Sequence, residues 1–167
     1  MIPRKLGQVI PRYSGDYPVV AIVGPRQSGK TTLARSLFSD YPYYTLESLD
    51  HRNRALSDPR GFLSDIGPRA ILDEAQRAPE LFSYLQEYVD ASPKERHYVL
   101  TGSHQFLLME SISQSLAGRI VTFRLYPFTL GELYPDTAPP DTSSALLRGW
   151  YPRIHDQNLE ATTWYAG

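Results

Sequence analysis

Nine consecutive residues have the types and spacing that hold a phosphate: Gly24, Pro25, Arg26, Gln27, Ser28, Gly29, Lys30, Thr31 and Thr32. They fit the pattern G-x-x-x-x-G-K-T/S, directly behind the apolar run Val19-Val-Ala-Ile-Val23. Gly24 and Gly29 admit turn conformations closed to residues with a Cβ, so that successive backbone N–H groups can point inward at an anion. Lys30 is a point charge for β- and γ-phosphate oxygens, and the Thr31 hydroxyl is a ligand type for Mg2+. Residues 32–38 carry Leu33, Ala34, Leu37 and Phe38 on one helical face, which lays the positive end of a helix dipole under the phosphates.

Two further apolar runs end in polar groups. Ala70-Ile-Leu72 leads into Asp73 and Glu74, and Tyr98-Val-Leu100 leads into Thr101, Gly102 and Ser103. Phosphoryl transfer needs neutralised phosphate charge, a bound metal and an oriented nucleophile. Asp73 suits Mg2+, through coordinated water, and Glu74 suits orienting and deprotonating an attacking water. The alternative for this pair is an exposed turn with two acids. Ser103 (or Thr101) could meet the γ-phosphate or the attacking water, or equally cap a following helix. Arg119, in Ser115-Leu-Ala-Gly-Arg119, is either a cation for the transferring phosphoryl group, in cis or from a neighbouring copy, or a structural arginine. The catalytic set is therefore Lys30, Glu74, Ser103 and Arg119, with Thr31 and Asp73 for the metal. His51, His97, His104 and His155 lack metal-ligand spacing and read as surface or core residues. Arg12, Arg52, Arg54 and Arg60 read as solvated charge.

Stepping outward, these groups need elements to position them. Strands are expected at 19–23, 43–46, 70–73, 98–101 and 120–125. The last alternates in polarity and so lies nearer the sheet edge. Helices are expected at 4–13, ending near Pro11, at 32–38, as two short pieces across 47–66 broken at Asp58-Pro59, and at 79–90. The 79–90 helix has Leu81, Phe82, Leu85, Tyr88 and Val89 as one apolar stripe. Helical pieces follow at 105–109 and 112–116, with a single turn at 129–133. Strands alternating with helices predict an α/β fold: a three-layer, mostly parallel sheet that binds ligands at its strand carboxyl ends, where all three polar clusters fall.

Residues 135–144 hold three prolines and read as a linker, while 145–167 has no pattern that organises it. The expected division is a nucleotide-binding domain over 1–134, then a linker and the start of a second domain over 135–167. At 167 residues the chain suits one well-buried domain, and a net charge of −1 gives no basic footprint for nucleic acid. No cysteines, no bilayer-length apolar run and no signal-peptide core point to a cytoplasmic protein with no membrane partner.

Taken together, the chain resembles the AAA-type branch of P-loop ATPases, the type with an added strand between the two nucleotide strands and a glutamate base. More narrowly, it resembles uncharacterised prokaryotic ATP-binding proteins that pair this domain with a C-terminal domain of unknown function. The resemblance rests on Ile2-Pro-Arg4, Gly24 to Arg35, Leu72-Asp-Glu-Ala-Gln76, Leu100-Thr-Gly-Ser103, Ser115 to Arg119 and Pro127-Phe-Thr-Leu-Gly-Glu132. It implies ATP with Mg2+, the Ser103 strand between the Gly24 and Asp73 strands, a sensor role for Ser103 and a finger-like place for Arg119. Self-association would then supply Arg119 in trans. Such proteins continue well past Tyr151-Pro-Arg-Ile154 and Trp164-Tyr165, which implies a chain lacking its second domain, with the biological target in that part.

Three activities fit: ATP hydrolysis that drives or gates a partner domain, a nucleotide-dependent switch that does not hydrolyse, and a small-molecule kinase. The kinase is disfavoured because Asp73-Glu74 suits activating water and no Arg-rich lid is present. A GTPase would need an N/T-K-x-D motif, which is absent, and a helicase core would need a second such domain.

Overall fold

Val19–Gly24 is buried at every position and forms β1. In the computed structural model, which describes residues 2–103 and 114–166, β1 belongs to a five-stranded sheet. The other strands are β2 (Tyr43–Thr45), β3 (Arg69–Asp73), β4 (His97–Ser103) and β5 (Ile120–Arg124), in the order β2-β3-β4-β1-β5. Every pairing is parallel. β4 thus lies between β1 and β3, as the resemblance implies, and β5 is an edge strand, as its alternation predicts.

Odd and even positions of the strands face two different cores. Val19, Ala21, Val23, Leu72 and Leu100 join one cluster with α3 (Leu49–Ser57), α4 (Pro59–Ile66) and α5 (Leu81–Ala91). Val20, Ile22, Ile71 and Val99 join the other with α1 (Leu6–Ser14) and α2 (Lys30–Leu37). A parallel sheet covered on both faces needs such continuous apolar strands, and the three-layer expectation is met. The break at Asp58-Pro59 falls where predicted, because the Asp58 carboxylate accepts from the Gly61 amide and caps α4.

Two expectations are corrected. α1 does not stop near Pro11 but runs through it to Ser14, with Ile10 buried underneath. Proline forfeits one helical hydrogen bond, and the burial of the apolar face outweighs that loss. Gly24 is required for space, not for backbone freedom. A Cβ there would lie 2.0 Å from the Leu125 carbonyl oxygen, and the left-handed residues of the loop are Gln27 and Gly29, with φ of 61° and 93°.

Beyond β5 a capping box formed by Thr129 and Glu132 starts the single turn α6 (Leu130–Leu133), as predicted. The stretch with no readable pattern contains α7 (Thr142–Arg148), α8 (Pro152–Asp156) and α9 (Ala161–Ala166). It is tied back to the sheet domain: Ile154 is fully buried, and the Phe128 amide donates to the Trp150 carbonyl at 2.8 Å. The helical pieces expected at 105–109 and at 112–113, and His104, lie outside the described residues. Among the described residues no helix is long and apolar enough to cross a membrane.

At the amino end of β4, His97 Nε2 lies 2.8 Å from the Ser14 carbonyl oxygen, while Nδ1 is buried without a partner among the described residues. Burial lowers its pKa; the Ser14 contact opposes that shift and Arg69 adds to it. An unfolded chain then takes up this proton in preference. Stability linked to His97 is intact above about pH 6.5 and falls as pH drops from there through the lower folded-state value. Urea denaturation between pH 7.5 and 5 should show a steeper loss for the wild type than for His97→Gln. Gly24→Ala should cost at least about 2 kcal/mol of stability, because backbone rather than a flexible side chain occupies the Cβ position. Unchanged thermal unfolding of that variant would contradict the close β1–β5 approach.

Candidate functional site

Parallel register brings the strand carboxyl ends together. Gly24 is opposite Ser103, Leu72 opposite Leu100, and Thr45 opposite Asp73. The Asp73 carboxylate is only 7 % exposed, so it must find donors. Oδ1 accepts from the Thr31 hydroxyl at 2.8 Å and also from the Thr101 hydroxyl, and Oδ2 accepts from the Tyr43 hydroxyl at 2.7 Å. Thr101 is thereby committed to Asp73. The Ser103 hydroxyl is buried and has no partner among the described residues, so of the two it is the one free to meet a ligand.

Lys30 opens α2 and is 5 % exposed, with Nζ donating to the Pro25 carbonyl at 2.7 Å across the turn of the loop. Burial lowers its pKa; the Glu74 and Asp73 carboxylates oppose that shift and Arg26 adds to it. Glu74 follows directly on β3, in the left-handed region with φ 54°, an uncommon setting for a side-chain-bearing residue. Its Oε2 accepts from the Gln76 side-chain amide.

A cavity of about 600 Å3 joins these groups and is lined by Arg26, Gln27, Gly29, Lys30, Thr31 and Glu74, with Glu47 at its rim. Pro152, Arg153, Asp156 and Gln157, of α8 and the residue that follows it, line it as well. An adjoining cavity of about 270 Å3 lies between α1 and α2, lined mainly by Ile2, Pro3, Gly7, Leu33, Leu37, Phe128 and Pro152. Gly29, Thr32, Pro152 and Asp156 border both spaces. A polar chamber beside an apolar one suits a ligand with a charged tail and a flat apolar head. Thr31 Oγ1 and Asp73 Oδ1 are hard oxygen donors beside the polar chamber, the donor type that Mg2+ takes.

Thus Gly29, Lys30, Thr31, Asp73, Glu74 and Ser103 gather at one end of the sheet. Arg119 does not join them. It precedes β5, where its carbonyl accepts from the Val19 amide, at the opposite end of strands that rise about 17 Å over five residues. Its guanidinium is paired with Asp90, with Nη2 to Oδ2 at 2.7 Å. Of the histidines within the described residues, His51, His97 and His155 each lie beside a backbone carbonyl.

Sequence reasoning missed Tyr43, Gln76 and the α8 residues. Tyr43 sits in a Tyr-Tyr pair whose facing is set only by strand register. Pro152 stands at the first turn of α8, a helix-start signal that was available but isolated.

Comparison with known proteins agrees with this fold. The family described as AAA domain matches residues 16–134. Two uncharacterised proteins, of Mycobacterium bovis and Mycobacterium tuberculosis, are each 36 % identical over 153 residues, which is 90 % of this chain. The chain spans only 34 % of their length. The Walker-type ATPase PABY2304 of Pyrococcus abyssi superposes with a TM-score of 0.62 at 18 % identity, over 98 % of this chain and 71 % of that one. A signal-transduction ATPase with a tetratricopeptide repeat sensor from Pyrococcus horikoshii gives 0.51 at 16 % identity, over 99 % and 27 % of the two chains. At such identities the two structures attest the fold.

Burial first, and then the contact with Asp73, push the Tyr43 phenol up to about 12. Tyr43→Phe should remove one late-ionising tyrosine from an alkaline absorbance titration. It should also cost about 1–2 kcal/mol in denaturant unfolding, since a donor to a charged group is lost. An unchanged titration would break the Tyr43–Asp73 link.

Proposed function

The chain belongs to the AAA domain family, and from that premise we propose that it is a Mg2+-dependent ATPase whose turnover drives or gates a partner domain. The observation that carries this is the meeting of Lys30, Thr31 and Glu74 at one cavity, with Asp73 bonded to Thr31 behind it. The loop amides and Lys30 neutralise phosphate charge, and the apolar chamber between α1 and α2 takes the base. Thr31 and Asp73 hold Mg2+, which when bound withdraws charge from the phosphate oxygens. Glu74 orients water and accepts its proton, and Ser103 offers its free hydroxyl to the γ-phosphate or that water.

Arg119 acts only from a neighbouring copy in this scheme, since its own site lies at the other end of the sheet. Its partner Asp90 is exposed, and an exposed pair opposes such a transfer little. In this reading residues 1–134 form the ATPase unit, and 135–167 are a linker and the start of a second domain, with α8 lining the nucleotide site. A cytoplasmic location accords with the absence of cysteines.

The non-hydrolysing switch keeps one specific support: Glu74 is engaged by Gln76 rather than free to meet water. Two substitutions separate the readings. Lys30→Ala should weaken ATP binding on the order of 100-fold, measured by fluorescence titration, because a desolvated charge partner is removed. Glu74→Gln should retain binding and lower phosphate release about 100-fold or more. Turnover in the wild type no faster than in Glu74→Gln would leave the switch as the function.

A further inference from the structure

Arg4 precedes α1 and lies far from the phosphate loop in sequence, yet it ends against the back of that loop. Nη1 donates to the Ser28 carbonyl at 2.8 Å, Nη2 to the Tyr126 carbonyl, and Nε to Glu132 Oε1 at 3.3 Å. The guanidinium also sits over the Phe128 ring, 4.6 Å from its centroid. Both members of the ion pair are sunk, with 9 % of the Arg4 side chain and 5 % of the Glu132 side chain exposed. Glu132 is saturated: Oε1 takes the Lys5 amide at 2.8 Å, and Oε2 takes the Thr129 amide at 2.8 Å. Burial alone would raise its pKa, and these donors together with Arg4 outweigh that, leaving it lowered.

The bond to Ser28 has a directional consequence. A trans peptide is planar, with C=O and the following N–H on opposite sides. Holding the Ser28 carbonyl toward Arg4 turns the Gly29 N–H away from Arg4. Gly29 supports this arrangement, being left-handed at φ 93° and passing within 3.7 Å of Arg4 Nη1 at the place where a Cβ would stand. Its amide belongs to the loop that leads into α2.

We propose that Arg4 is a positioning residue for the phosphate loop: anchored by Glu132 and the Tyr126 carbonyl, it holds the Ser28–Gly29 peptide with the amide turned toward the anion. The inference rests on the reading of that loop as a triphosphate site. Arginine is needed because three separate acceptors are met by one rigid fork. A lysine ammonium keeps the charge but cannot span them.

The test compares purified wild type, Arg4→Lys and Glu132→Gln for binding of ATP and of inorganic triphosphate, with the Gly29 amide followed by 15N NMR. Arg4→Lys should lose about tenfold or more in affinity for both ligands alike and shift the free-state Gly29 amide signal. Glu132→Gln, whose amide oxygen can still accept from Arg4 Nε and which keeps the Tyr126 anchor and the donor to Ser28, should lose no more than about threefold even where its melting temperature falls as far. If Arg4→Lys does not fold, Arg4→Gln combined with Glu132→Gln removes both buried charges together and is held to the same criterion. Equal losses in Arg4→Lys and Glu132→Gln, or a loss for ATP but not for inorganic triphosphate, would overturn the positioning role. The first result would make Arg4 a support of the fold, and the second a wall of the base chamber. Failure of the wild type to bind either ligand would instead overturn the triphosphate reading, and this inference with it.

Discussion

A carboxylate sunk at the end of a parallel strand is costly unless donors surround it, and Asp73 is surrounded from three sides. The hydroxyls come from Thr31 at the start of α2, Tyr43 on β2 and Thr101 on β4, so one charge fixes the relative placing of three elements around β3. Lys30 adds the opposite charge without an ion pair among the described residues, its ammonium held instead by the Pro25 carbonyl. The loop, its lysine and the acids are therefore fixed by bonds within the chain itself.

The same constraint explains which residues sit around the site. β4 is flanked by both β1 and β3, so its carboxyl end lies between the loop and the acids. Two of its residues divide the work. Thr101 is spent on Asp73, while Ser103, two residues on and opposite Gly24, keeps a buried hydroxyl with no partner among the described residues. Gly24 itself must lack a side chain because the Leu125 carbonyl occupies that volume. Close packing of β5 against β1 thus shapes the loop from beneath, independently of the phosphate chemistry above it.

Local patterns were legible in the sequence. The loop, the apolar strand before it, the Asp73-Glu74 pair, the break at Asp58-Pro59 and the helical turn at 129–133 each depend on residues a few positions apart. What depends on distant segments was not legible. The place of β4 came from a family resemblance, because spacing along a chain carries no information on strand order. Tyr43 could not be separated from Tyr44, since which of the two faces Asp73 is settled by pairing with β3. Arg4 and Glu132 stood out only as fragments of a resemblance, and their link joins positions 128 residues apart. The α8 residues that line the cavity follow a proline-rich stretch with little hydrophobic signal. Their order comes from docking onto the domain through Ile154 and Trp150 rather than from helix propensity.

These distant links give the molecule two unlike ends. At the strand carboxyl ends, Thr31, Tyr43 and Thr101 are bound to Asp73, Lys30 to the loop and Arg4 to Glu132, and α8 lines the space beside them. At the amino ends, Arg119 holds the exposed Asp90 and the Ala117 carbonyl, and Arg69, Lys94 and Arg96 line an open groove with no ion pair among the described residues. A site built wholly from one end has a single lysine ammonium sunk beside its acids, Lys30, and none of the spare cations can swing round a sheet that is covered on both faces. Additional positive charge at that end has three sources: Arg26 in the loop itself, Arg153 on α8 in the same chain, and the amino end of another copy. The first two already line the cavity, and the third requires association. The geometry therefore turns the question of how this chain works into a question of what approaches its carboxyl end.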